Sequence, residues 1–66
     1  MEICLNGLSR NVEENVTLKE LLEQEGYRME RIAVEMNGEI IPKSQYAEVL
    51  IHSGDVIEVV SFVGGG

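Results

Sequence analysis

The chain has 66 residues, 44% of them apolar, 26% charged, with a formal net charge of -7. A chain this short buries only about 60% of the surface its unfolded form exposes, so it makes one domain with one small core. A deep catalytic cleft of its own is therefore not expected, and a net negative surface without a Lys/Arg cluster argues against nucleic acid as a partner.

The single cysteine, Cys4, can form no internal disulfide and belongs to no zinc-binding pair. A reducing cytoplasm is the expected setting. No apolar run is long enough to cross a bilayer, and the N-terminal segment has neither the basic nor the apolar region of a signal peptide.

In chain order, Met1 to Asn6 alternates, with Ile3 and Leu5 on one side and Glu2, Cys4 and Asn6 on the other. This is the period of a half-buried strand. Asn6-Gly7 is the preferred pair of a type I′ hairpin, and Leu8 to Glu13 is the predicted return strand. Thr17-Leu18-Lys19-Glu20 has the form of a capping box, with Val16 and Leu21 as its hydrophobic staple. Leu18, Leu21 and Leu22 make one apolar stripe, and Gly26 suits a left-handed helix end. A helix is predicted over Leu18 to Glu25.

Arg31 to Met36 alternates again, with Ile32, Val34 and Met36 on one face. Asn37-Gly38 repeats the hairpin signal, and Glu39-Ile40-Ile41 is a short apolar segment ended by Pro42. Lys43 to Glu48 is polar, with Tyr46 and Ala47 apolar, and suits a short helical turn. Val49-Leu50-Ile51 is a further apolar piece, and His52-Ser53-Gly54-Asp55 is a turn cluster. The last predicted strand runs from Val56 to Val63, with Ile57, Val59 and Ser61 on one face and Val56, Glu58, Val60 and Phe62 on the other.

A hairpin and one helix make too small a core, so later strands are expected to join the same sheet. The last strand is the most apolar and suits a central place beside the first, which makes the sheet mixed. The expected architecture is α+β: a β-grasp domain over residues 1–63, a mixed sheet packed on one main helix, followed by a flexible glycine tail, Gly64, Gly65 and Gly66.

Consecutive glycines have no side chains to bury and cost entropy to order. Frayed residues without function are one reading of them. The other is chemical. A glycine tail is the thinnest peptide to thread into a partner's active site, and its bare terminal acyl carbon, once activated, is open to attack by sulfur or an amine. Val56, Val60 and Phe62, on the face the helix is not expected to cover, are the candidate docking residues. Structural burial under loops is the competing reading for these three.

Other residues are less promising. Cys4 has Glu2 beside it and no electropositive neighbourhood to activate it. His52 is read as a solvated turn residue. Glu13, Glu14, Glu20, Glu23 and Glu25 lack calcium-loop spacing, and the scattered glycines form no phosphate-binding loop. No metal site is expected.

The ordered set Asn6-Gly7, Thr17-Leu18-Lys19-Glu20-Leu21-Leu22, Ala33 through Pro42, Gly54 through Val60, and Phe62-Val63-Gly64-Gly65-Gly66 resembles the ThiS family. These are ubiquitin-like β-grasp sulfur carriers of thiamine biosynthesis, related to the MoaD type. The resemblance covers essentially the whole chain. It implies that Gly66 is the modified residue and that Gly64, Gly65 and Gly66 enter a partner's active site. A ThiF-type adenylyltransferase would use ATP and magnesium to convert the Gly66 carboxylate to an acyl-adenylate. Sulfur, originating from cysteine through a desulfurase, would displace AMP, and thiazole synthase of the ThiG type would take it from the resulting thiocarboxylate. The carrier itself would bind no cofactor and supply no catalytic side chain. A sulfur carrier for molybdopterin or cysteine synthesis, and a non-catalytic β-grasp binding module, are the alternatives.

Overall fold

Two Asn-Gly pairs set the register of the sheet. Asn6 and Gly7 have φ of 51° and 80°, and Asn37 and Gly38 have 51° and 87°. Positive φ at both central positions is what a type I′ turn requires, and its twist matches that of the strands it joins. The first turn links β1 (Glu2–Leu5) to β2 (Leu8–Asn11). The second links β3 (Ile32–Met36) to β4 (Glu39–Ile41). These relationships come from a computed structural model that describes residues 1–62.

Between the hairpins lies α1 (Leu18–Gln24), started by the predicted capping box. Thr17 Oγ1 accepts the Glu20 N–H at 3.1 Å, and Glu20 Oε1 accepts the Thr17 N–H at 2.9 Å. Val16 and Leu21, the staple pair, are both buried. The chain leaves the helix through Gly26 at φ 84°. One short 3₁₀ turn, Met29–Arg31, leads into β3, and a second, Lys43–Gln45, follows β4.

The fifth strand, β5 (Val56–Ser61), runs between β1 and β3, giving the order β2-β1-β5-β3-β4. It is parallel to β1 and antiparallel to β3. The sheet is mixed and lies on one helix, which is the β-grasp arrangement expected from the sequence. β5 is central because it is buried deeply on one face: Ile57 and Val59 join Ile3, Leu5, Ile32, Val34 and Met36 against Leu18, Leu21 and Leu22 of the helix. Among the described residues no buried side chain is polar or charged apart from the Tyr46 hydroxyl.

Several boundaries differ from the sequence reading. β2 stops at Asn11 instead of Glu13, because after the Val12 N–H bonds to the Met1 carbonyl the chain turns through Asn15 at φ 63°. The helix ends at Gln24, with Glu25 as its C-cap. β5 ends at Ser61, although the Phe62 N–H still donates to the Arg31 carbonyl at 2.8 Å. Val49-Leu50-Ile51 does not join the sheet. It makes one bridge, Thr17 to Leu50, and drops Ile51 into the core. Tyr46, in the polar stretch after Pro42, is a core residue. Val63 and the glycines Gly64, Gly65 and Gly66 lie outside the described residues.

Candidate functional site

The face of the sheet away from the helix has nothing packed on it among the described residues. Strand alternation and register decide its composition. Cys4 stands opposite Val56 and Ser9, Ala33 opposite Val60, and Glu35 opposite both Glu58 and Ile40. The open face therefore carries Val56, Glu58 and Val60 on β5, Ala33 and Glu35 on β3, and Ile40 on β4.

All three proposed docking residues are exposed: Val56 46%, Val60 59% and Phe62 55%. The reading that loops of the same chain cover them does not hold. They do not, however, form one patch. Val56 begins β5 and Phe62 follows its last residue, roughly 20 Å apart for an extended chain, and Glu58 interrupts the stripe between Val56 and Val60. Val56 sits beside Cys4, while Val60 sits beside Ala33.

The structure adds a residue that the sequence reading did not single out. Ile40, at 78%, is the most exposed of the large apolar side chains among the described residues. It borders a shallow depression with Ala33, Glu35, Glu58 and Val60. A signal for it existed. A two-residue loop at Asn37-Gly38 fixes the pairing of Met36 with Glu39, and therefore of Glu35 with Ile40. That places Ile40 on the face away from Val34 and Met36.

Glu35 and Glu58 are the charged floor of this depression. They face each other across a β3–β5 pair. A hydrogen bond that the protonated Glu35 carboxyl donates to Glu58, then desolvation and repulsion by the Glu58 charge, raise the Glu35 carboxyl above its ordinary range. Two carboxylates side by side hold one proton more readily than either does alone. With Glu2, they are the only charges that strand residues place on the open face, so the apolar side chains Ile40 and Val60 lie in an acidic field.

The remaining candidates are placed as follows. Cys4 is half-buried on the open face. His52 is exposed in its turn, and its backbone N–H donates to Asp55 Oδ2 at 2.7 Å. No group of three or more His, Cys, Asp or Glu side chains is arranged to hold a metal among the described residues. No helix among them is long and apolar enough to cross a membrane.

With this geometry in view, the relatives of the chain become informative. The model of the ThiS family matches residues 3–66, the three glycines included. The chain belongs to the ThiS family. The sulfur carrier protein ThiS of Escherichia coli is 32% identical over 66 residues, with both chains fully covered. A crystal structure of the thiamine biosynthesis protein ThiS from Geobacter metallireducens superposes with a TM-score of 0.84 at 30% identity, again covering both chains fully. A protein named thiazole synthase, from Paramagnetospirillum magneticum, is 44% identical over the whole of this chain. The match takes up 20% of that protein, so the chain spans about a fifth of its length.

Proposed function

We propose that this ThiS-family chain is a sulfur carrier for formation of the thiamine thiazole ring, and that Gly66 is the residue it offers. The observation that carries this reading is the family match over residues 3–66, which takes in Gly64, Gly65 and Gly66. The end-to-end similarity to a chain named sulfur carrier protein ThiS supports it. The similarity to part of a thiazole synthase favours thiamine over molybdopterin or cysteine synthesis, because it links a domain of this kind to that enzyme in one polypeptide.

The chemistry follows from what a carboxylate lacks. It is a poor electrophile, so its oxygen first attacks the α-phosphorus of ATP, and pyrophosphate leaves. The ATP and magnesium belong to an adenylating partner of the ThiF type. A sulfur nucleophile, supplied ultimately by a cysteine desulfurase, then adds to the Gly66 acyl carbon and expels AMP. A desulfurase delivers its sulfur as a persulfide, so the first product is an acyl disulfide; a second thiol then attacks the donor's sulfur, forms a disulfide with it and releases Gly66 as a thiocarboxylate. Thiazole synthase accepts the sulfur from it. The carrier contributes no acid, base or nucleophile of its own, only the acyl carbon and a surface for recognition.

That surface is the open sheet face. Ile40, Val60 and Phe62 offer apolar contact toward the end of the molecule where β5 leads to the glycines, and Val56 extends the surface in the other direction. The acidity of the chain favours rapid encounter with a basic partner.

Intact mass spectrometry after incubation with a ThiF-type enzyme, ATP and a sulfur source tests the proposal. The expected result is a mass gain equal to replacement of one oxygen by sulfur, lost when Gly66 is deleted. No change, with an enzyme that is competent on another carrier, would leave a binding module as the better reading.

A further inference from the structure

The central strand is paired on both sides for only part of its length. In the β3–β5 ladder the Phe62 N–H donates to the Arg31 carbonyl. Hydrogen-bonded pairs alternate with non-hydrogen-bonded ones in an antiparallel ladder. Val60 and Glu58 therefore also bond toward β3, while Ile57, Val59 and Ser61 direct their N–H and C=O groups toward β1. The β1 side agrees with this phase: the Asn6 N–H donates to the Ile57 carbonyl at 2.9 Å.

β1 then stops. Its register with β5 covers Cys4 with Val56 and Leu5 with Ile57, and at Asn6 the chain turns away at φ 51°. The next N–H, that of Val59, is taken up by the Asn6 side chain, Oδ1, at 2.7 Å. Beyond it, among the described residues, nothing on the β1 side meets the Val59 carbonyl or the Ser61 N–H and carbonyl. Ser61 is exposed, so water serves its N–H and carbonyl in the free chain. The result is a short strand edge, held rigid from behind by β3, whose last residue precedes Gly64 by three positions.

We propose that this β1-facing edge of β5, from the Val59 carbonyl to the Ser61 carbonyl, pairs backbone to backbone with an extended segment of the adenylating partner. The inference rests on the carrier reading and specifies how the partner holds the tail. Exposed strand edges are templates for added strands, and main-chain bonds supply affinity without demanding particular side chains. Position gives this edge its use. The stretch from Ser61 to Gly66 spans at most about 17 Å even when fully extended. A clamp at Ser61 thus confines the acyl carbon to a small volume and fixes the direction in which the glycines leave the sheet. Ordering a glycine segment is entropically costly, and a pairing that extends β5 by continuing its own geometry lowers that cost.

Amide hydrogen exchange, read residue by residue on the ¹⁵N-labelled full chain with and without a ThiF-type enzyme, tests this directly. The Ser61 amide is expected to exchange freely in the isolated chain and to be protected in the complex. Ser61→Pro, which removes that N–H, is expected to weaken the complex about ten-fold, as for a lost hydrogen bond that leaves a partner carbonyl unpaired. Retained protection of the Val60 and Phe62 amides would verify that the variant is folded. If it unfolds, the exchange comparison on the unsubstituted chain decides alone. A complex in which the Ser61 amide exchanges as fast as in the free chain overturns the pairing and leaves the carrier reading intact. Failure to form any complex with an enzyme competent on another carrier overturns both.

Discussion

The Asn6 side-chain carbonyl accepts the Val59 N–H at 2.7 Å, joining residues 53 positions apart. The same side chain donates through Nδ2 to the Tyr27 hydroxyl at 3.3 Å. Asn6 thus turns the first hairpin and continues the β1 ladder with its side chain where its backbone can no longer do so. Asn37 acts in parallel at the other end of β5, accepting the Val56 N–H through Oδ1 at 2.9 Å.

Replacing Asn6 separates these two roles. Asn6→Gly keeps the positive φ accessible but deletes the acceptor, and is expected to cost about 1 kcal/mol. Asn6→Ala also removes the side-chain amide that lets asparagine tolerate the left-handed region, and is expected to cost up to about 1 kcal/mol more. Urea denaturation of the two variants should rank them in that order. Equal losses would mean that the backbone conformation at Asn6 contributes nothing.

The Glu35–Glu58 pair predicts a pH dependence. The Glu35 carboxyl is raised in the folded chain, first by its hydrogen bond with Glu58, then by desolvation and charge repulsion. A raised acid binds its proton more tightly when folded than when unfolded. Its contribution is therefore most favourable below the unfolded value of 4.5 and is lost as pH rises through the higher folded value. Glu58→Gln removes the repulsion. The melting temperature of the variant should exceed that of the parent at neutral pH, and the gap should close as pH falls toward 4.5. A gap that is independent of pH would refute the coupling.

The capping box and the core beneath it differ in scale. Thr17→Ala deletes the acceptor for the Glu20 N–H and should cost about 1 kcal/mol. Leu22→Ala opens a cavity in a core where Leu22 is fully buried, and should cost about 2–5 kcal/mol. In a domain of this size a loss at the upper end of that range removes the cooperative transition, and calorimetric unfolding of both variants checks the difference.

On the open face, Ile40→Ser and Val60→Ser should change stability by no more than about 1 kcal/mol, because both side chains are largely in water. Each is expected to raise the KM of a ThiF-type enzyme for the carrier while leaving kcat unchanged, the mark of a residue that contributes binding and not chemistry. Steady-state kinetics with the carrier as the varied substrate checks this. An unchanged KM in both variants would remove this face from the docking surface.

Local signals accounted for most of the architecture. Asn6-Gly7 and Asn37-Gly38 encode turns that only a few residue types tolerate, Thr17 to Glu20 satisfies helix donors within four residues, and the alternation of β1, β3 and β5 marks a buried face. These are short-range effects, and they read from the chain directly. The family resemblance of the glycine ending is likewise a property of sequence alone. What the chain could not declare locally depends on partners distant in sequence. Tyr46 lies in a polar stretch and is buried only because the Lys43–Gln45 turn brings it under the sheet. Ile40 looks like an ordinary strand residue, and Glu35 and Glu58 look like two solvated acids, until β3 is set against β4 and β5. The unpaired edge at Ser61 exists because β1 ends before β5 does, a mismatch of lengths between two strands at opposite ends of the chain. Tertiary structure decided these features because each is a relation across the sheet, created when burial of the apolar faces selects one register.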